Sequence, residues 1–245
     1  MSSLSLSPRW LGHLTSILAE HKKATTIAFA TVDTDGKYPI PRVRHLVHRS
    51  ILTSHPAQPL LITTTDIRSP KAHQLRSHPS TSGPTAEIAW WIEQAVVQFR
   101  LLVRVHVLPA PSHTLHSEFP FRELSRNIGG DSGPDAPETA EDWEALRIRT
   151  YNNLSAPIRA SFARPVPGSP LQNPADAEKW PEKLPEKGKE ETEEEKKHVK
   201  EALKNVSLLI FEPLQVDFVE FGVVPNRRTQ WSFDGKKWDE TALVP

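Results

Sequence analysis

The residues richest in chemical content sit at one corner of the chain. Thr63 to Leu75 reads TTTDIRSPKAHQL: three hydroxyl-bearing β-formers run into Asp66, then Arg68-Ser69-Pro70-Lys71, and then a segment with helical spacing. Ser69 is a good N-cap and Pro70 fits the first helical position. A helix starting here would aim its free N–H groups and the positive end of its dipole outward, and an end of that kind accepts phosphate. Lys71 in the first turn opposes the dipole by about 0.3–1 kcal/mol, a placement that an anion between cation and helix would explain. The plainer account is that Arg68 and Lys71 are long, exposed and solvated, and taken alone an SPK corner favours that account.

Two other groups of polar residues bear on the same question. Arg44 and Arg49 bracket HLVH within IPRVRHLVHRSI. Strand positions five apart point to opposite faces, so both arginines serve one ligand only if the strand bulges or Arg49 lies past its end. From Gln98 to Leu108, Phe99, Leu101, Val103, Val105 and Val107 alternate with Gln98, Arg100, Arg104 and His106, Leu102 being the exception. This predicts a strand with one core face and one polar face. Gln98 offers both a donor and an acceptor, which suits the alternating edge of a flavin's pyrimidine ring, although a polar row is ordinarily just a wet face.

The elements that must position these residues are mostly strands. After Ser7-Pro8, a cap and first-turn pair, Trp10, Leu11, Leu14, Ile17 and Leu18 predict an amphipathic helix to about His21. TTIAFATV and IPRVRHLVHRSI flank DTDGK, where Asp35-Gly36 is expected to supply the positive φ of a tight hairpin. PLLITTT and AEIAWWIE add strands, and a short helix after Ser69 should stop before Pro79. Residues 112–127 and 138–161 read as helices separated by GGDSGPDAP. SLLIFEPLQVDFVEFGVV predicts two strands broken at Pro213, and the C-terminal segment a hairpin around Asp234-Gly235. The Lys/Glu-dense stretch from about Asp176 to Lys204 reads as a solvated loop followed by an exposed helix. About six or seven antiparallel strands joined early by short turns argue for a mainly β fold, a closed barrel with added helices.

Bulk composition narrows the function classes. A chain of 245 residues favours one domain with insertions over two. Thirty basic and thirty acidic side chains cancel, leaving no global field for nucleic acid or an anionic membrane, so any anion site is local. With no cysteine, disulfides, thiolate zinc sites and a cysteine nucleophile are excluded. The N-terminus lacks a signal-peptide pattern and no window approaches about 20 apolar residues, so a soluble, cytoplasmic chain is expected. No metal motif, P-loop or Rossmann fingerprint is present.

Taken in order, the segments RVRHLVHR, LLITTTDIRSPKAHQL, AEIAWWIE, VVQFRLLVRV, LSAPIRASFARPVPGSPL and RRTQWSFDGKKWDETALVP resemble the pyridoxamine 5'-phosphate oxidase-like FMN-binding split-barrel family. They are most similar to its flavin-binding subgroup with a TD-x-RS-x-K corner. The resemblance covers residues 1–245 as one split β-barrel domain, apart from a charged insertion at about 172–205. It implies a homodimer with FMN in the cleft between subunits. Arg44 and Lys71 would take the phosphate, Arg49 would lie near the phosphate or the flavin face, and Thr64, Thr65 and Ser69 would supply hydroxyl or backbone contacts. Gln98 matches the ring-binding glutamine, and Ser155 would approach the phosphate from the partner subunit. No catalytic side chain is implied, because the flavin carries the redox chemistry.

The departures bear on substrate. Oxidases of pyridoxamine phosphate have S-R-K at the corner where Pro70 stands here. Their C-terminal R-L-H-D-R becomes NRRTQW, with Gln230 in the place of the last arginine and Arg227 or Arg228 as the available substitutes. Their late-strand tryptophan is Val219. The expectation is therefore an FMN-binding protein, a flavin-dependent oxidoreductase of unknown substrate. Pyridoxamine 5'-phosphate oxidase activity, a cofactor-free dimer acting as a protein-interaction module, and a haem-handling or deazaflavin-binding relative remain the alternatives.

Overall fold

A computed structural model describes residues 7–53, 57–76, 85–126 and 137–245. Helix α1 (Arg9–Glu20) buries Trp10, Leu11 and Leu14. Pro8 itself occupies its N-cap position and no side chain caps it, so Ser7 does not act as expected. Strands β1 (Thr26–Asp33) and β2 (Ile40–Leu52) pair antiparallel from Thr26 opposite Val47 to Asp33 opposite Ile40. Their link, residues 34–39, is longer than a two-residue turn and does not need Gly36 at positive φ, which it does not adopt.

Strand β3 (Leu60–Asp66) leads to α2 (Pro70–Arg76), then β4 (Thr85–Ile92) and β5 (Val97–Leu108). Helix α2 ends at Arg76, and Pro79 lies outside the described residues. The expected helix over 112–127 is a 3-10 turn, Thr114–Glu118, followed by α3 (Phe121–Arg126), because Pro120 interrupts it. The segment GGDSGPDAP falls almost wholly outside the described residues. The expected helix over 138–161 is likewise two, α4 (Ala140–Asn152) and α5 (Ala156–Ser161), with Pro157 in the first turn of the second.

Helix α6 (Glu193–Asn205) precedes the long β6 (Val206–Glu220), and β7 (Arg227–Phe233) and β8 (Trp238–Leu243) close the chain as a hairpin with Gly235 at φ +97°. The sheet order is β3-β2-β1-β4-β5-β6-β7-β8, and β3 also pairs with β6. That extra pairing closes β1 to β6 into a six-stranded barrel, with β7 and β8 continuing from β6. The closed antiparallel barrel is as expected, but the described residues hold eight strands.

Strand β6 corrects one expectation. Pro213 does not divide it: Val103 faces Pro213 while Leu102 faces Gln215, so Leu214 is an extra residue in a bulge. A bulge is where a strand tolerates a residue without an N–H to donate. The continuous β6 can therefore pair with β3, β5 and β7.

The barrel interior holds Phe29, Leu61, Trp90, Phe99, Leu101 and Phe211 under the lid of α1. A second cluster of Leu60, Ile62, Phe119, Trp143 and Leu208 joins the outer wall to α3 and α4. The charged insertion differs from the exposed helix anticipated for it. Helix α6 has a Thr192–Glu195 capping box and buries Val199 and Ala202 against Tyr151, Leu154 and Phe162. The buried Arg147 donates to the carbonyls of Leu203 and Val206, both at 2.9 Å, satisfying groups at the end of α6. Val199→Ala is expected to cost about 2 kcal/mol in urea unfolding, whereas Lys197→Ala should change stability by under about 0.5 kcal/mol. Equal small effects would mean that α6 is not docked.

Candidate functional site

The corner after β3 is built around Asp66. Its carboxylate is nearly buried and accepts from Arg68 three times, from the backbone N at 2.8 Å, Nε at 3.0 Å and Nη2 at 2.7 Å. Arg68 Nη2 also donates to the carbonyl of Arg164 at 2.9 Å, and Gly168, at φ +86°, brings the same segment against the Pro70 ring. Arg68 is thus a clamp between the corner and residues 162–168. It is not the solvated cation of the plainer reading.

Lys71 is the cation that this corner presents. Its Nζ donates to Thr65 Oγ1 and Ser69 Oγ, both at 3.3 Å, and those two hydroxyls are themselves 3.3 Å apart. Ser69 Oγ donates to the Asp66 carbonyl at 2.7 Å, so its hydroxyl is turned back to the strand end. Burial pushes the Lys71 amine below its usual range and the nearby Arg44 pushes it further, against the pull of Asp66.

Arg44 reaches the same helix from β2. It donates from Nη1 to Thr31 Oγ1 at 2.6 Å and from Nη2 to Gln74 Oε1 at 2.9 Å, and it lies over the Phe29 ring at 5.8 Å. Burial, then the charge of Arg42, lowers its pKa. Among the described residues neither Arg44 nor Lys71 makes an ion pair. Gln74 and Thr31 are polar groups that sequence reasoning missed. The available signal was Gln74 three residues after Lys71, on the same helix face.

Arg49 is the extra residue of a second bulge: His48 faces Thr63 and Ser50 faces Ile62. The condition for Arg49 to escape the regular alternation is therefore met. It enters a cleft of about 600 Å³ between β2 and α4, lined also by Val47, Ile51, Leu146, Arg149, Asn153 and Leu154. Its Nε is buried without a hydrogen-bond partner, and burial lowers its pKa. Next to it, His48 packs on Trp90 with 5.0 Å between ring centroids, and burial followed by the Arg49 charge lowers its pKa to about 4. Ser155, exposed at the N-cap of α5, directly follows Leu154 of this cleft and makes no capping bond. The polar groups here of α4 and its C-cap, Arg149 and Asn153, were not singled out from sequence.

Gln98 is not brought to the corner within one chain. It lies between Trp91 on β4 and Val219 on β6, on the face opposite the buried Phe99, whereas Arg44 shares the inner side with Phe29. The rest of its row is committed to β6. Arg100 and Arg228 both bind Asp217, and Arg104 and His106 each meet Glu212 at 2.9 Å. Arg228 is therefore engaged, while the exposed Arg227 pairs with Glu220 at 3.5 Å. Thr64 is half-buried on β3 opposite Leu208, and the Lys71 amine hydrogen-bonds Thr65 and Ser69 instead. No described helix is long and apolar enough to cross a membrane.

Residues 7–109 match the family model described as pyridoxamine 5'-phosphate oxidase, FMN-binding domain. The whole chain is similar to a solved pyridoxamine 5'-phosphate oxidase-related, FMN binding protein from Nostoc punctiforme PCC 73102, at 25% identity and TM-score 0.68 over 99% of this chain and 100% of that one. PhzG from Burkholderia lata 383, solved in complex with tetrahydrophenazine-1-carboxylic acid, shares the fold at 16% identity and TM-score 0.59, over 100% and 95% of the two chains. No curated protein matches. The family resemblance and the split-barrel fold are borne out. The matched segment carries every expected site residue except Ser155.

Arg68→Ala would strand the buried Asp66 carboxylate, and a loss of about 3 kcal/mol in chemical unfolding is expected. Between pH 6.5 and about 4 the unfolded chain takes up a proton on His48 that the folded chain refuses. Stability present above pH 6.5 should thus fall by up to about 3 kcal/mol as the solution is acidified through that window. His48→Phe should remove this part of the slope in unfolding curves recorded across it.

Proposed function

We propose that this chain binds FMN as a homodimer and acts as a flavin-dependent oxidoreductase, with the FMN phosphate held at the β3–α2 corner by Lys71 and Arg44. The observation that carries this reading is the pair of cations itself. Two partly buried positive groups repel each other, and among the described residues their hydrogen bonds go to neutral oxygens, with Asp66 attracting Lys71 without bonding to it. A dianionic phosphate would relieve that repulsion and accept from both, as well as from the Thr65 hydroxyl and from that of Ser69 once it turned away from the Asp66 carbonyl. Thr64 is assigned a backbone contact. When bound, the flavin supplies the redox chemistry, and the chain supplies orientation and charge.

A second copy of the chain accounts for the remaining assignments. Outward-facing apolar side chains are exposed on adjoining strands, among them Val43 at 71%, Trp91 at 49% and Leu102 at 40%. The cross-strand row Val43, Ala30, Glu87, Leu102 runs over β2, β1, β4 and β5 and is continuous enough to seat a partner. Gln98 lies on this outer surface, where a flavin shared between subunits would meet it, and Ser155 would reach the phosphate from the other subunit.

The purified protein is expected to carry, or take up, a chromophore with a flavin absorption spectrum and to run as a dimer on size exclusion. A colourless protein that ignores added FMN would refute the cofactor. Lys71→Ala and Arg44→Ala should each weaken FMN by about 10- to 100-fold while changing riboflavin affinity by less than about threefold, since only FMN has the phosphate. Equal losses for both ligands would move the phosphate elsewhere.

A further inference from the structure

Arg44 lies near a carboxylate that it does not take as a partner. Phe29, Thr31 and Asp33 alternate along one side of β1, and Arg44 and Arg42 stand across the pairing from Phe29 and Thr31. Asp33 is mostly withdrawn from solvent and pairs with Arg42 at 3.5 Å. The bonds of Arg44 go instead to the Phe29 carbonyl at 3.3 Å, to Thr31 Oγ1 and to Gln74 Oε1, all of them neutral.

The group that separates the two charges is the side-chain amide of Gln74. Its Oε1 accepts from Arg44 Nη2 at 2.9 Å and from Thr31 Oγ1 at 2.7 Å, while its Nε2 donates to Asp33 Oδ2 at 3.3 Å. A guanidinium only donates and a carboxylate only accepts, so the amide can stand in one sense alone, oxygen to the cation and nitrogen to the anion. Gln74 is buried, and water does not compete for either end. Without the amide, a half-buried guanidinium and a mostly buried carboxylate would be left facing each other, and at reduced dielectric a direct pair is the favourable arrangement. That pair would neutralise Arg44. A dianion at the corner would then meet the charge of Lys71 alone.

We infer that Gln74 is a positioning residue for the anion of the β3–α2 corner: it holds the Arg44 guanidinium apart from Asp33 and so keeps that charge available to a dianion. The inference rests on the proposed reading of the corner as a phosphate site. Gln74 then sets the preference for a phosphorylated over an unphosphorylated flavin, acting through Arg44.

The experiment is fluorescence titration of FMN and riboflavin into the full chain, with thermal unfolding in inorganic phosphate against chloride at equal ionic strength as a flavin-free readout. Gln74→Met, close to the same length but without the amide, should weaken FMN by about tenfold and riboflavin by less than about threefold. It should also remove the rise in unfolding temperature that phosphate gives the wild type. Asp33→Asn alone should change FMN affinity by less than about threefold, since Gln74 already keeps that carboxylate away from Arg44. Added to Gln74→Met, it should return FMN to within about threefold of the wild type, because the competing anion is gone. Lost packing would show no such rescue. Gln74→Asn, whose amide is a methylene short of Arg44, should behave like Gln74→Met and stands in if that variant does not fold. The inference is overturned if Gln74→Met leaves FMN affinity unchanged, if it weakens riboflavin as much as FMN, or if Asp33→Asn does not rescue it. Normal FMN binding by Gln74→Met would sink the inference and leave the flavin reading standing. A wild type that ignores FMN but is stabilised by phosphate, with that gain lost in Gln74→Met and regained with Asp33→Asn, would sustain the inference and sink the flavin reading. A wild type that responds to neither ligand would overturn both.

Discussion

A carboxylate largely withdrawn from water must find its hydrogen bonds in the protein, and among the described residues Asp66 finds its own in one residue. The backbone N, Nε and Nη2 of Arg68 converge on it. That arrangement forces the chain to turn sharply after β3, and the turn aims Ser69 and Lys71 back towards Thr65. The same guanidinium then reaches the carbonyl of Arg164. Asn205 ties the neighbouring carbonyl of Phe162 at 2.8 Å while its own carbonyl accepts from Ile67. The end of β3, the turn after α5 and the end of α6 are therefore one hydrogen-bonded knot.

Against that rigid background stands an electrostatic cost. Lys71 and Arg44 are both partly drawn out of water, which moves the pKa of each down; the charge of Arg44 lowers Lys71 further, and that of Arg42 lowers Arg44. Packing alone has no use for such a pair, since an aliphatic residue at either position would spare the desolvation. The knot around Asp66 holds Lys71 in place despite the repulsion. Perturbed cations of this kind gather at functional sites, and that is the ground on which the corner is proposed as one.

The alternation of apolar residues made the barrel strands legible, because each has one buried face. What stayed hidden was pairing. Whether Arg49 follows the alternation of β2, or Leu214 that of β6, depends on counting residues against a partner strand, and no local window contains that count. Pro213 suggested a break for the same reason. In α6 a dense run of Lys and Glu masked the few apolar positions, Val199 and Ala202, that dock it. The corner residues Thr65, Ser69 and Lys71 were readable because they are close in sequence. Gln74, Arg149 and Asn153 were not, because their importance comes from what β2 brings to them.

The long pairing of β6 has a consequence for what counts as a folding unit. Strand β6 joins β3 to β5, and without it the barrel has two open edges and a half-exposed interior. The family-matching stretch, residues 7–109, stops before β6 and before the carbonyl acceptors of Arg68, which lie 94 and 96 residues downstream of it. The stretch matched by the family model thus lacks the strand that closes the barrel. During synthesis the clamp from Arg68 to the Phe162 and Arg164 carbonyls can close only after those residues have left the ribosome.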